Sequence, residues 1–400
     1  MKRIKPNATH RDTQVDLAEP SILSDEEKEF CKRHNPKYEK IPLWSKIALA
    51  VATVCVLLYI VICISQSFAD FFNEYIGGTF RFILAQITNI LPFSLAEVAL
   101  ISIPVILVFV IRYVWIYRCN SRKATIVTLV CILSIASMFL SSFVLTFAAG
   151  YRGAELDKKL GISREKISKQ DLYNTAEYLV SEINTLTLEI EYGSDGFSIM
   201  PYSFNEMNDK LIDAYDSFTD EHTFINNFYS KLKPVLLSEV MSYAHITGIY
   251  TYFTGESNLN VNFPDYSVPY TAAHELAHQR GIAREDEANM MAFLVCTRSD
   301  DTYIRYCAYV NMYEYVANAL YKADKELFRK IDKMLDQNVI KEQLAYSKFF
   351  EKYSQSVTSQ ISGTVNDIYL QSQGTEGSKS YGMVVDLTVA YLKNLGKIEE

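Results

Sequence analysis

The chain has 400 residues, of which 49% are hydrophobic and 22% charged, with a formal net charge of −8; these are ordinary values for a globular chain with room for two domains. The negative balance and the lack of a basic cluster in its second half exclude nucleic acid as an expected partner. Seven cysteines without CxxC spacing exclude a cysteine-held zinc or a dithiol redox motif.

Residues 1–42 are polar and mixed in charge, and read as a disordered tail with a short helix over 24–34. The first apolar run begins too late and is too long to be a signal peptide. Three runs, 43–64, 93–116 and 125–149, reach the length of about 20 apolar residues that a bilayer demands; Pro104 lies inside the second, which membrane helices tolerate. Between the first two, residues 67–92 carry Phe68, Phe71, Phe72, Tyr75, Ile76, Phe80 and Phe82 among polar residues, the pattern of a segment lying in the interface plane. Lys37, Lys40 and Lys46 flank the first span and Arg118, Arg122 and Lys123 fill the loop before the third, whereas the first-to-second loop has only Arg81. Basic loops stay in the cytoplasm, so the N-terminus is expected inside and residues 151–400 outside. On this topology Cys55, Cys63 and Cys131 lie in spans, Cys31 and Cys119 are cytoplasmic, and Cys296 and Cys307 face out, as a pair or as buried free thiols.

Residues 151–400 read as mainly helical, with helical periodicity over 169–186, 204–218, 224–232, 271–279, 285–296, 303–322, in several pieces over 324–353, and over 381–395. Only 246–261 is strand-like, two short strands about the turn Thr254-Gly255-Glu256. Residues 269–297, PYTAAHELAHQRGIAREDEANMMAFLVCT, hold the chemistry. His274 and His278 stand four apart on one helical face and can share one Zn²⁺, with Glu275 between them as general base. Gly281 ends that helix and a second begins near Arg284. A small-residue stripe, Ala288, Ala292 and Cys296, would lie against Ala273, Ala277 and Gly281 and bring Glu285 towards the metal as third ligand. Glu287 is the competing carboxylate; it points about 200° away round the helix, so only one of the two can reach the ion. Arg284 cannot ligate zinc. Asn289, one turn after Glu285, is a candidate to orient that ligand from behind.

Further candidates are weaker in pattern. Asn258 and Asn260 alternate onto one face of the strand pair and are candidates to bond substrate amides, either through β-augmentation or, alternatively, as turn caps of a structural hairpin. Tyr306, Tyr309 and Tyr313 share a helical face, so Tyr306 or Tyr309 is a candidate oxyanion donor, as is Arg305, although such stripes are commonly core. His222 and His245 are single histidines and are not expected to bind metal.

The HELAH helix followed by EDEANMMA resembles the "HExxH, then ExxA[ND]xxA" arrangement of glutamate-ligand zinc peptidases, including the HtpX/CAAX-protease and ImmA/IrrE groups; that resemblance implies Glu285 as third ligand. Tyr151-Arg152-Gly153, GIYTYFTGESNLN (248–260), HELAHQRGIAREDEAN, RYCAY (305–309) and YLQSQGTEGSKSYG (369–382) together resemble a family of bacterial polytopic membrane proteins that carry a domain of unknown function, where Ser rather than Cys is implied at 307. The expected fold class is therefore mainly α: three N-terminal transmembrane helices in a bacterial cell membrane, followed by an extracytoplasmic, mostly helical, zincin-like domain with a small β-hairpin. The expected function is a membrane-anchored metallopeptidase with one Zn²⁺, acting on a peptide or protein substrate near the membrane or secreted. The alternatives are an envelope protein with a structural zinc, distinguished by indifference to the loss of Glu275, and a receptor or transporter component, against which the spans lack central ionisable residues.

Overall fold

A computed structural model describes residues 40–117, 122–354 and 356–399. The helix expected over 24–34, Cys31 and Cys119 lie outside the described residues. The chain opens with α1 (Leu43–Ile64), then α2 (Gln66–Phe71), a π-helical turn Phe72–Gly77, α3 (Gly78–Asn89), α4 (Leu95–Tyr117) and α5 (Arg122–Thr146). Helices α1, α4 and α5 are long and apolar enough to cross a membrane. Their apolar side chains point largely outward, Val54, Leu100, Val108 and Leu129 among them, consistent with a membrane protein. Helices α1 and α5 meet through small residues: Ala52, Cys55, Ser134 and Ser137 are buried, and Ser45 Oγ lies 2.6 Å from Ser134 Oγ. Close backbone approach of this kind is how helices pair without a hydrophobic drive.

The remainder is built of helices around one short sheet. In order come α6 (Leu156–Leu160), α7 (Lys169–Leu186), α8 (Phe204–Glu221), β1 (Lys233–Pro234), α9 (Ser238–Tyr243), β2 (Gly248–Thr251), β3 (Glu256–Leu259), α10 (Val268–Gln279), α11 (Glu285–Thr297), α12 (Thr302–Ala323), α13 (Lys325–Asp332), α14 (Gln337–Glu351), α15 (Val357–Ser372) and α16 (Val384–Asn394). Caps set several of these limits: the Ser168 and Asp171 side chains form a reciprocal capping box on α7, and Asp301 accepts from the Ile304 N–H at the start of α12, satisfying donors that a helix start leaves free. Helix α11 is the centre, since every residue from Glu285 to Cys296 is buried, as expected of a helix surrounded by others. Two sequence expectations change here. Residues 224–232 form no helix; Phe224 instead packs edge-on against Phe218 at 6.0 Å, and the Phe228 carbonyl accepts from Arg280 at 3.0 Å, so tertiary contacts override local periodicity. The expected hairpin is a three-stranded sheet in the order β1-β3-β2, with β1 parallel to β3 (Lys233 opposite Asn258) and β2 antiparallel to it (Gly248 opposite Leu259).

The candidate spans and the helical domain are stitched together by buried charges. Glu256 on β3 accepts from the Leu95 and Ala96 N–H groups, both at 3.0 Å, at the start of α4. Lys233 on β1 donates at 2.9 Å to the Thr88 carbonyl at the end of α3. A carboxylate at a helix N-terminus and an ammonium at a C-terminus each match the local dipole. Glu97 adds bonds from the Leu236 and Leu237 N–H groups at 3.1 and 2.7 Å. Lys233 thus ties the end of the 67–92 segment to the sheet.

Candidate metal centre and its cleft

Helix α10 begins with Pro269 in its first turn, where the missing N–H costs nothing, and it ends before Gly281, whose φ is +97°. The chain turns at that glycine and restarts at Glu285, which folds α11 back on α10. The corner is held from below. Arg81, fully buried, donates through Nη1 to the Thr146 carbonyl at 2.7 Å and Asn73 Oδ1 at 3.0 Å, and through Nη2 to the Asn73 and Arg280 carbonyls at 2.7 and 3.3 Å. Asn73 Nδ2 donates to the Gly281 carbonyl at 3.0 Å. A residue counted from sequence as a loop cation is therefore a strut between the end of α5 and the end of α10.

The corner brings His274, His278 and Glu285 together, with one ligand atom from each lying within 4.8 Å of the others. Glu285 Oε2 is 3.2 Å from His274 Nε2 and 3.5 Å from His278 Nε2. Ligand atoms at the corners of a zinc tetrahedron lie about 3.3 Å apart when each is about 2.0–2.1 Å from the ion, so the spacing fits Zn²⁺. The His278 ring donates from Nδ1 to the Ile282 carbonyl at 2.7 Å, which directs Nε2, the atom that would ligate a metal, at Glu285. His274 Nδ1 is buried with no partner among the described residues. Phe147, the residue after α5, packs on the His278 ring at 5.8 Å, so the cluster sits on the end of the third candidate span. Glu287 lies elsewhere, accepting from the Leu156 N–H at 2.9 Å.

Glu275 is 4% exposed, and burial holds its carboxyl above the usual range, eased by His274 and His278. Gly248 of β2 lies directly on it: a Cβ at that glycine would stand 2.6 Å from Glu275 Oε1 and 2.7 Å from its Cγ. Gly248→Ala is therefore expected to displace the carboxylate and lower any Glu275-dependent activity about tenfold or more, with zinc content and melting temperature little changed. Steady-state rates and metal analysis of the purified variant check this.

The cluster opens into a cavity of about 1070 Å³ whose walls include the edge strand β2, the middle turns of α12 and one face of α15. Several sequence candidates lie away from it. Tyr306 is buried with its hydroxyl on Glu342 and Tyr192, and Tyr309 packs edge-on against Phe293 at 5.6 Å; neither lines the cavity. A stripe of phenols at helical spacing is here core, and Tyr306→Phe is expected to lower stability by about 1–2 kcal/mol without changing catalysis, as read by parallel melting and rate measurements. Arg305 donates to the Ser299 carbonyl at 2.7 Å, which also removes it as an oxyanion donor. Asn258 is in the central strand, 1% exposed, and spends its amide on the Ile249 and Glu256 carbonyls. Asn260 likewise bonds Ser242 Oγ and the Ile246 carbonyl. Both hold the sheet and its loops, because β1 covers the side of β3 that a two-stranded hairpin would leave open.

Asn289 does line the cavity; its Nδ2 is buried without a partner among the described residues, and no bond to Glu285 is formed. His245, with φ +57°, lines the far wall and bonds the Tyr353 carbonyl at 2.8 Å, while His222 packs on Phe218 at 4.4 Å. Cys296 and Cys307 are free and buried. Residues not singled out as site groups from sequence complete the cleft: Tyr151, Glu314, Tyr315, Tyr369 and Tyr381. Burial raises the Tyr381 phenol far above its usual range, and the charge of Glu285 adds to this; its hydroxyl accepts from Asn366 Nδ2 at 3.4 Å. Tyr381 belongs to the 369–382 motif, but nothing local to that stretch says that it reaches residues a hundred positions earlier.

Fold and site together define a mainly helical protein with three candidate membrane spans and a buried His-His-Glu cluster at the floor of a large cavity. The sequence profile described as "Protein of unknown function (DUF3810)" matches residues 72–389, and the chain belongs to that family. No curated protein matches it, and no solved structure does.

Proposed function

We propose that the protein is a zinc-dependent metallopeptidase anchored in a bacterial cell membrane, with its N-terminus cytoplasmic and a zincin-like helical domain, residues 151–400, outside. The observation that carries this reading is the Glu275 carboxylate, buried beside the His274, His278 and Glu285 donor set and against edge strand β2. A structural zinc site has no use for a second carboxylate there. A zinc ion bound to those three residues would supply Lewis acidity and lower the pKa of water.

Each remaining role falls to the chain itself. Glu275 takes a proton from the attacking water and returns it to the leaving amine, the work of a buried carboxylate with a raised affinity for protons. Strand β2 pairs with β3 alone, so its outer edge is available to a substrate backbone added as a further strand. Tyr381, which lines the cavity together with Glu285 and Glu275, is the hydroxyl we assign as donor to the developing oxyanion, a role that Tyr306 and Tyr309, which do not line it, would not fill. The contact of Phe147, at the end of the third candidate span, with His278 supports a site close to the membrane.

The test compares cells expressing the wild type with cells expressing Glu275→Gln and scores new protein N-termini in the envelope and medium. Sites present only with the wild type support the reading and name the substrates. Identical profiles, with the variant made and still holding zinc, overturn it in favour of a structural metal.

A further inference from the structure

One carboxylate in the cleft has no part in the metal centre. Glu314, on α12, lines the cavity, and Tyr266 donates to its Oε1 at 3.3 Å. No lysine or arginine lines this cavity among the described residues. The charge that acts on Glu314 is that of another carboxylate, Glu342. Burial raises the Glu314 carboxyl to about 7, the direction expected where a carboxylate lacks a counter-charge. Three tyrosines, Tyr266, Tyr315 and Tyr346, surround it closely enough for its charge to act on each phenol. A carboxylate beside aromatic rings, lining a cleft that has no lysine or arginine, is complementary to an ammonium or guanidinium group.

Its position relative to the metal centre follows from α10. Tyr266 and Ser267 immediately precede that helix, and Thr271 and His274 follow on the cavity side. Seven residues of helix from Ser267 to His274 span about 10 Å, the reach of about three residues of extended peptide. Tyr315 feels both Glu314 and Glu285, which links the two ends of the same space.

We propose that Glu314 is a specificity-determining residue that receives a positively charged group of the substrate, a free α-ammonium or a Lys or Arg side chain, within about three residues of the scissile bond. This rests on the peptidase reading. The remaining polar groups of α12 that line the cavity, Asn311 and Asn318, are neutral and suit the peptide groups beside such a cation.

The experiment uses the purified full-length protein, loaded with zinc in detergent micelles, and a library of chymotryptic peptides from a whole proteome. One half of the library is untreated and the other has its amino groups acetylated; products are read by mass spectrometry. The wild type is expected to cut sites with a free amino terminus, Lys or Arg within three residues, and Glu314→Gln to cut those sites about tenfold or more slowly. Cleavage at a fixed distance from the peptide start, abolished by acetylation, identifies the α-ammonium; cleavage that follows Lys and Arg, with the Arg sites surviving acetylation, identifies side chains. A wild-type profile without enrichment for a cation overturns the proposal whatever the variant does, and so does an unchanged profile in Glu314→Gln. Absence of any cleavage that depends on Glu275 instead overturns the peptidase reading beneath it.

Discussion

Glu275→Gln is expected to abolish peptide hydrolysis, with a loss of about a thousandfold, while the protein keeps its zinc and its melting temperature. The carboxamide preserves the shape of the side chain under Gly248, so packing against β2 survives. It cannot take a proton from water at neutral pH, so the step that generates the nucleophile fails. Stability is expected to hold or rise slightly, because burial disfavours the charged carboxylate in the folded protein and the neutral amide removes that cost. A variant that loses both zinc and fold would instead mean that Glu275 supports the corner between α10 and α11.

The second large effect concerns that corner. Gly281→Ala imposes two burdens on one residue. Its φ of +97° disfavours any side chain by about 1–2 kcal/mol or more, and the new Cβ would stand 2.7 Å from both Arg81 Cζ and Asn73 Oδ1. Arg81 has nowhere to go, since its guanidinium is buried and already bonds three backbone carbonyls and the Asn73 side chain. A combined loss above about 3 kcal/mol is expected, with release of zinc, because the turn sets the distance between His278 and Glu285. Gly382→Ala is the control, as a Cβ there meets nothing within 4 Å. Melting curves and zinc content of the two full-length variants in detergent decide the matter; equal stability would show that the corner is not what holds His274, His278 and Glu285 together.

Much of the site was legible in the sequence because its signals are local. Two histidines four apart, a glycine past a helix end and a carboxylate at the next helix start need only helical geometry to be placed. The candidate spans were legible for the same reason, being runs of apolar residues. What was not legible depends on contacts between distant segments. Asn258 looked exposed because β1 has only two residues, Lys233 and Pro234, and leaves no periodic trace; with β1 in place, Asn258 belongs to a central strand. Tyr306 looked available because its partner Glu342 lies 36 residues away on another helix. Tyr381 entered the cleft from a 3-10 segment, Gly377–Met383, that sequence periodicity assigns in part to a regular helix. Arg81 gave the most misleading signal, since an arginine near a membrane span ordinarily marks a loop in water, and only the carbonyls of Thr146 and Arg280 reveal its use as a strut.

The most direct test of a zinc peptidase at this centre is a metal titration. The purified full-length protein is stripped of metal and zinc is returned in steps, while bound zinc and cleavage of a peptide library are followed together. Activity rising linearly to one zinc per chain, lost in Glu285→Ala and retained in Glu287→Ala, is the expected result. One zinc bound without any hydrolysis, or hydrolysis that proceeds without metal, would contradict it.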